Sequence, residues 1–376
     1  MKVFFVCFLV AAFGIRAQSP IVADSLYATG NYTQAINAYA ALGTTNANLQ
    51  IARSYNTIGN YDKAIAQYEA LTAKETGLQI ARLELGKLYL KTRRYDDARK
   101  LFTGLVSDNN ANPEYRYYQG EAFRELEQEA SSLVAYKKAV GLDSTHLRSL
   151  FRLGKYFVVQ QMPADALSYI NKGLEFYADD VALINLKALA HFNNNAYVKA
   201  IPSFERLLEL GEQKEHIYLK LAHCYYKEWE FEKAKDTYAK LLALDDSLSD
   251  AYNGLGNVYL KAKQLDSAEI NYKIAIEVQD AILNREYSAL AAIARERKDL
   301  KTALEYYKLA YKEDPANVMG YYQVCTVADQ YYKDPKVRLQ YYEIFQEKFK
   351  KKHPYFSETV KKRIRELKEE IHYADN

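Results

Sequence analysis

Residues 252–275 read YNGLGNVYLKAKQLDSAEINYKIA. Tyr252, Leu255, Gly256 and Tyr259 fall at i, i+3, i+4 and i+7, the spacing that places side chains on one face of an α-helix. After a break around Lys263, the residues Ala268, Tyr272 and Ala275 write a second helical face of the same kind. Gly256 and Ala268 are small where the two faces meet, so the helices must cross closely there.

The unit recurs along the chain. A shift of 34 residues brings into register a series of mostly small residues: Ala35, Ala64, Ala98, Ser132, Ala166, Ala200, Ala234, Ala268, Ala303 and Val337. Four residues after each comes a large one: Tyr39, Tyr68, Phe102, Tyr136, Ile170, Phe204, Tyr238, Tyr272, Tyr307 and Tyr341. Twelve residues before each stands another small one, from Ala23 and Ala52 through Gly86, Gly120 and Gly154 to Ala291 and Cys325. This pattern resembles the tetratricopeptide repeat, whose first helix carries a large residue, Leu, a small residue and an aromatic, and whose second carries Ala and then an aromatic. Tyr218, Leu221, Ala222, Tyr225, Ala234, Tyr238 and Leu241 repeat it, and the resemblance runs from about Ser19 to Phe345. It implies an all-α, right-handed superhelical solenoid of about ten helix-turn-helix repeats, with residues 18–345 as the array.

Departures are local. The first repeat is joined to the second by 29 residues in place of 34, which predicts a shortened helix or turn. Pro202 falls inside a predicted second helix and should kink it or delay its start. The last repeat, with Pro335 and Val337, is degenerate, and beyond it Phe356, Val360, Ile364, Leu367 and Ile371 recur every three or four residues. Residues 346–376 therefore read as an amphipathic helix covering the open end of the array.

At the other end, MKVFFVCFLVAAFGIRAQSP places Lys2 before an apolar run and Ala17 after it, the grammar of a cleavable signal peptide over residues 1–17. The run from Val3 to Ile15 is shorter than the roughly 20 residues needed to span a bilayer. Cys7 lies early in it, after bulky Phe5 and Val6, and is not placed as a lipid-attachment cysteine. An exported chain, periplasmic in a Gram-negative bacterium or otherwise secreted, follows, with no stable membrane insertion after cleavage. Cys224 and Cys325 remain, three repeats apart, and are expected as two buried free thiols. Lys and Arg number 51 against 48 Asp and Glu, a balance that implies neither nucleic acid nor an anionic membrane.

Chemistry is not signalled. Phosphate-binding glycine loops, HExxH, GxSxG and CxxC are absent, and the near-constant period leaves no insertion to house an active site. His216, His223 and Cys224 have the wrong spacing for a metal, and Asp179-Asp180 and Asp245-Asp246 sit at turns where Asp caps the following helix. No cofactor, metal site or catalytic residue is expected, and the chain does not read as an enzyme.

A binding surface is expected where the family has its concave groove. With the small residue of the first helix numbered 8, positions 2, 5, 9, 12 and 13 point away from the core. Position 12 is apolar in four consecutive repeats, at Val158, Phe192, Tyr226 and Leu260. Position 9 gives Lys87, Lys155, Leu189 and His223, and Arg148 and Arg152 adjoin Lys155. An apolar strip with a charged rim suits a peptide or helix of a partner protein. In the competing arrangement position 12 packs against the next repeat and leaves little free surface. Leu83, Lys87 and Tyr118 stand where the chaperone-binding members of the family place Lys, Asn and Asn, so that carboxylate clamp is not reproduced. A cell-envelope glycan or small ligand is the alternative occupant. The partner's identity and the oligomeric state are not encoded in one chain.

Overall fold

The computed structural model describes residues 19–278, 283–349 and 354–374, so the leader assigned to residues 1–17, with Cys7, lies outside the described residues. The chain divides into two compact units, one ending at Ala178 and the other beginning at Asp179. The first holds α1 (Pro20–Ala28), α2 (Tyr32–Leu42), α3 (Thr45–Thr57), α4 (Tyr61–Lys74), α5 (Gln79–Lys91), α6 (Tyr95–Asp108), α7 (Pro113–Glu125), α8 (Glu129–Leu142), α9 (Leu147–Val159) and α10 (Pro163–Phe176). The second holds α11 (Val181–Asn193), α12 (Tyr197–Glu209), α13 (Glu215–Lys227), α14 (Phe231–Leu244), α15 (Ser249–Lys261), α16 (Leu265–Val278), α17 (Asn284–Glu296), α18 (Leu300–Glu313), α19 (Val318–Tyr331), α20 (Pro335–Phe349) and α21 (Pro354–Ala374). Odd-numbered helices up to α19 are the first of each pair and even-numbered ones the second. The described residues are all-α, in ten tandem pairs followed by one more helix.

The small positions do what their size suggests. Ala64, Ala98, Ala166, Ala200, Ala234, Ala268 and Ala303 have no exposed surface, and Tyr68, Phe102 and Tyr272 from the following turn are at most 1 % exposed. At Gly86 and Gly120 an added Cβ would lie 2.5 Å from the ring of Phe102 or Tyr136, so the aromatic occupies the space the glycine leaves. In the tenth pair the register slips. Tyr342, not Tyr341, is the buried tyrosine, because α19 is followed by Tyr332-Lys333-Asp334 and α20 starts at Pro335.

Each helix pair from the first to the ninth turns through one residue with positive φ. Gly30 and Gly59 supply it first, then Arg93, Glu127, Gln161, Asn195, Trp229, Lys263 and Lys298, with φ between 55° and 64° in these seven. Side-chain caps start several helices: Thr44 accepts from Ala47 N–H at 3.2 Å, Asp180 from Leu183 N–H at 2.8 Å and Asp299 from Thr302 N–H at 3.1 Å. Asp180 and Asp245, which accepts from Ser247 N–H at 2.9 Å, thus serve turns and caps, as their position predicts.

The short first link has a simple origin. The second helix of the pair, α2, has 11 residues against 14 in α4, and two residues in place of four lead to the next helix; together these remove the missing five. Pro202 does not delay α12, which starts at Tyr197. The carbonyl left without its N–H partner is that of Val198, in the first turn and 64 % exposed, where water can satisfy it.

Candidate functional site

In the first unit the charges expected on the groove rim are mostly consumed by the fold. Arg152 grips Glu121 through Nε at 2.8 Å and Nη2 at 2.6 Å, and the Tyr136 hydroxyl donates to the same carboxylate at 2.5 Å. Burial pushes the Glu121 carboxyl up, but Arg152, Tyr136 and Arg124 outweigh it and hold it below the usual carboxylate range. Arg148 is tied to Glu114 and donates to the Tyr118 hydroxyl at 2.7 Å, with its guanidinium over Tyr117 at 4.6 Å. The ammonium of Lys87 lies 4.9 Å from the centre of the Tyr118 ring. Lys155 is exposed and meets no carboxylate among the described residues; it borders a cleft of about 430 Å3 with Arg124, Leu133, Arg152 and Tyr156.

These contacts obey a spacing that the sequence reading missed. In the first unit a residue at position 9 of one repeat meets position 6 of the next, 31 residues on, three times: Arg53 with Glu84, Lys87 with Tyr118, Glu121 with Arg152. Acid and base exchange places between the first and third pairs, so neither position alone shows the pattern; the 31-residue offset does.

Position 12 is only partly available. Val158 is 7 % exposed and packs into the core, and Val159 beside it is the exposed residue at 68 %. Phe192, Tyr226 and Leu260 are half-buried, as is Leu189 at position 9. Leu260 packs against the cluster of Ala268, Tyr272, Leu290 and Ile293. The competing arrangement, in which this position is shared with the next repeat, therefore holds in part.

What the second unit does assemble is an aromatic cluster. The ring of Phe192 on α11 lies 5.6 Å from that of His223 on α13, and His223 lies 6.1 Å from Tyr226. Tyr197, the first residue of α12, completes the group at 5.7 Å from both Phe192 and His223. Tyr197 was legible only as the aromatic that commonly opens the second helix, as do Tyr61, Tyr95 and Phe231. The Lys220 ammonium sits 4.5 Å from the Phe192 ring centre, and that of Lys227 5.9 Å from the Tyr226 centre. Burial, with Lys227 and Lys220 close by, pulls His223 below its ordinary value and so favours the neutral ring. Three of the expected groove residues, Phe192, His223 and Tyr226, are thus brought together. Cys224 beside them is a fully buried free thiol, pushed up to about 12 by burial, and Cys325 is likewise buried and free.

The arrangement offers apolar and cationic contact. Among the described residues no group of three His, Cys, Asp or Glu side chains is placed to hold a metal, and no helix is long and apolar enough to cross a membrane.

Models of the tetratricopeptide repeat match residues 58–120, 215–247 and 249–281. No curated protein matches. Among solved structures the chain is similar to YrrB, described as a tetratricopeptide-repeat protein with an unusual peptide-binding site, at 22% identity and TM-score 0.46 over 51% of this chain and 96% of that one. A tetratricopeptide-repeat protein from Parabacteroides merdae is similar at 16% identity and TM-score 0.45, over 62% of this chain and 93% of its own. Yeast Tom70 is similar at 12% identity and TM-score 0.45, over 94% and 95%.

Proposed function

The chain is a tetratricopeptide-repeat protein, and from that premise we propose that it serves as an exported, non-enzymatic scaffold holding a peptide or helix of a partner protein. The observation that carries this reading is the half-buried aromatic cluster of Phe192, Tyr197, His223 and Tyr226, which spans two consecutive repeats and ends in two lysines. Aromatic rings that are partly covered already have lost most of their freedom, so a partner gains their contact at small entropic cost. The charged residues of the first unit support a division of labour in which Arg148 and Arg152 maintain the repeat stack while the partner surface lies in the second unit. Export rests on the leader-like residues 1–17.

Crosslinking in the native envelope followed by capture on the full chain should recover a partner, and Phe192→Ala with Tyr226→Ala should abolish that capture with little change in the melting midpoint. Capture that survives the double substitution defeats the groove assignment. Mass spectrometry of the protein from an osmotic-shock fraction should find a mature N-terminus at Gln18; an intact Met1 in the cytosolic fraction defeats export.

A further inference from the structure

The aromatic cluster lies beside lysines that make no ion pair among the described residues. Helices α11 and α13 together carry Lys187, Lys220 and Lys227, three histidines (His191, His216 and His223) and one carboxylate, Glu215. Among the described residues none of these three lysines, nor Lys199 at the start of α12, makes an ion pair. Lysines on neighbouring second helices do: Lys235 reaches Glu232 at 2.7 Å, Lys240 reaches Asp236 at 2.7 Å and Lys273 reaches Glu269 at 2.8 Å. The 31-residue pairing of the first unit does not extend to Lys220. This lysine stands where Glu84 answers Arg53 and Arg152 answers Glu121, but the residue 31 positions before it is Leu189. With no carboxylate there, its ammonium rests on the Phe192 ring. The nearby lysines also act on the histidines: burial comes first in lowering each, and a lysine follows as the next cause, Lys187 for His191, Lys220 for His216 and Lys227 for His223, with Glu215 and Glu212 opposing it at His216.

We propose that the segment received here is acidic: an extended stretch of a partner protein in which Asp or Glu side chains flank a large apolar residue, the apolar residue seating on Phe192, Tyr197 and Tyr226 and the carboxylates on Lys220 and Lys227. The inference rests on the groove assignment above. The complementary charge supplies Lys220 and Lys227 with the carboxylates they lack within the described residues, and selects the partner by sign. An acidic protein segment is favoured over a nucleic acid because the cationic residues form a short patch around one apolar cluster, with no track along which a phosphate backbone could run.

A phage-displayed library of random 12-residue peptides selected on the full mature chain tests this. The expected result is enrichment of peptides combining Asp or Glu with Phe, Tyr, Trp or Leu. Their affinity should fall about tenfold with Lys220→Glu plus Lys227→Glu, should fall again between low and high salt, and should be lost with Phe192→Ala plus Tyr226→Ala. Enriched peptides that are neutral or basic, yet are lost with Phe192→Ala plus Tyr226→Ala, would overturn the acidic partner and leave the groove standing. Peptides indifferent to all four substitutions, or no enrichment at all, would overturn both. Tighter binding of a 20-nucleotide thymidine strand than of any selected peptide, abolished by the lysine reversals, would also overturn it. Circular dichroism melts of both double variants establish that each is folded.

Discussion

At the scale of single residues, the balance of charge between repeats rests on a few carboxylates taken out of water. Glu121 is 8 % exposed, and its negative charge is tolerable because Arg152 supplies two N–H groups and Tyr136 an O–H. Removing the arginine leaves the carboxylate buried and half-satisfied. Arg152→Ala should therefore cost about 3 kcal/mol of stability, seen as a lower urea midpoint at unchanged slope. The pH dependence has a definite sign. With Arg152 present the carboxyl is held below its ordinary value, so its contribution is full above that value and is lost as pH falls through the lowered one. Without Arg152 only Tyr136 and Arg124 are left to oppose burial, so the carboxyl rises and the protonated form gains. The gap in midpoint between the two proteins should narrow between pH 7 and pH 4, and a constant gap would show that Glu121 is not the group responsible.

At the scale of helices, the periodic small residues set how closely each pair crosses, and this was the most legible part of the chain. A Cβ at Gly120 would stand 2.5 Å from Tyr136, well inside contact distance, although alanine favours a helix over glycine by about 1 kcal/mol. Packing should win: Gly120→Ala is expected to destabilise by about 1–3 kcal/mol, measured by chemical denaturation. The turns give the opposite result. Gln161 has φ 55° between α9 and α10, where Gly30 and Gly59 serve in the first two pairs. Gln161→Gly should raise stability by about 0.5–1 kcal/mol by relieving left-handed strain, less the entropy that glycine adds to the unfolded chain. The turn itself was legible from the break in helical spacing. Its positive φ was not, because from the third pair onward the sequence uses Arg, Glu, Gln, Asn, Trp and Lys there in place of glycine. The groove was half-legible for a related reason. Helical periodicity tells which way Val158 and Phe192 point from their own axis, but whether the next helix covers them depends on what that helix carries, and only the packed structure shows Val158 covered and Phe192 left partly open.

At the scale of the molecule, a stack of repeats has an end to close, and the C-terminal end is closed by α21. Its apolar side was readable as a three- and four-residue recurrence: Val360 and Leu367 have no exposed surface and Ile364 is 8 % exposed, packed with Tyr321, Tyr342, Phe345 and Phe349 of the last pair. The electrostatic latch beside it was not readable, since it joins residues 34 apart on helices that share no motif. Asp329, on the position-12 series, receives Arg363 through Nε at 2.8 Å and Nη2 at 3.0 Å and has Arg338 at 3.6 Å. The residue that would face a ligand in another repeat is here spent on holding the cap. Each of the three apolar side chains stabilises by about 1.5–3 kcal/mol when fully buried, so the helix is held mainly by them and oriented by the latch. Ending the chain after Phe349 should expose the partners of all three. Hydrogen exchange should then lose protection in α19 and α20, and binding of a hydrophobic dye should rise, while protection in α3 to α8 stays as it was, because stability in a repeat array is passed only between neighbours. Asp329→Asn should give a smaller loss in the same two helices, since it removes the charge and leaves the apolar contacts. Loss of protection spread evenly over the chain would mean that the array folds as one indivisible unit and that α21 acts as more than a lid.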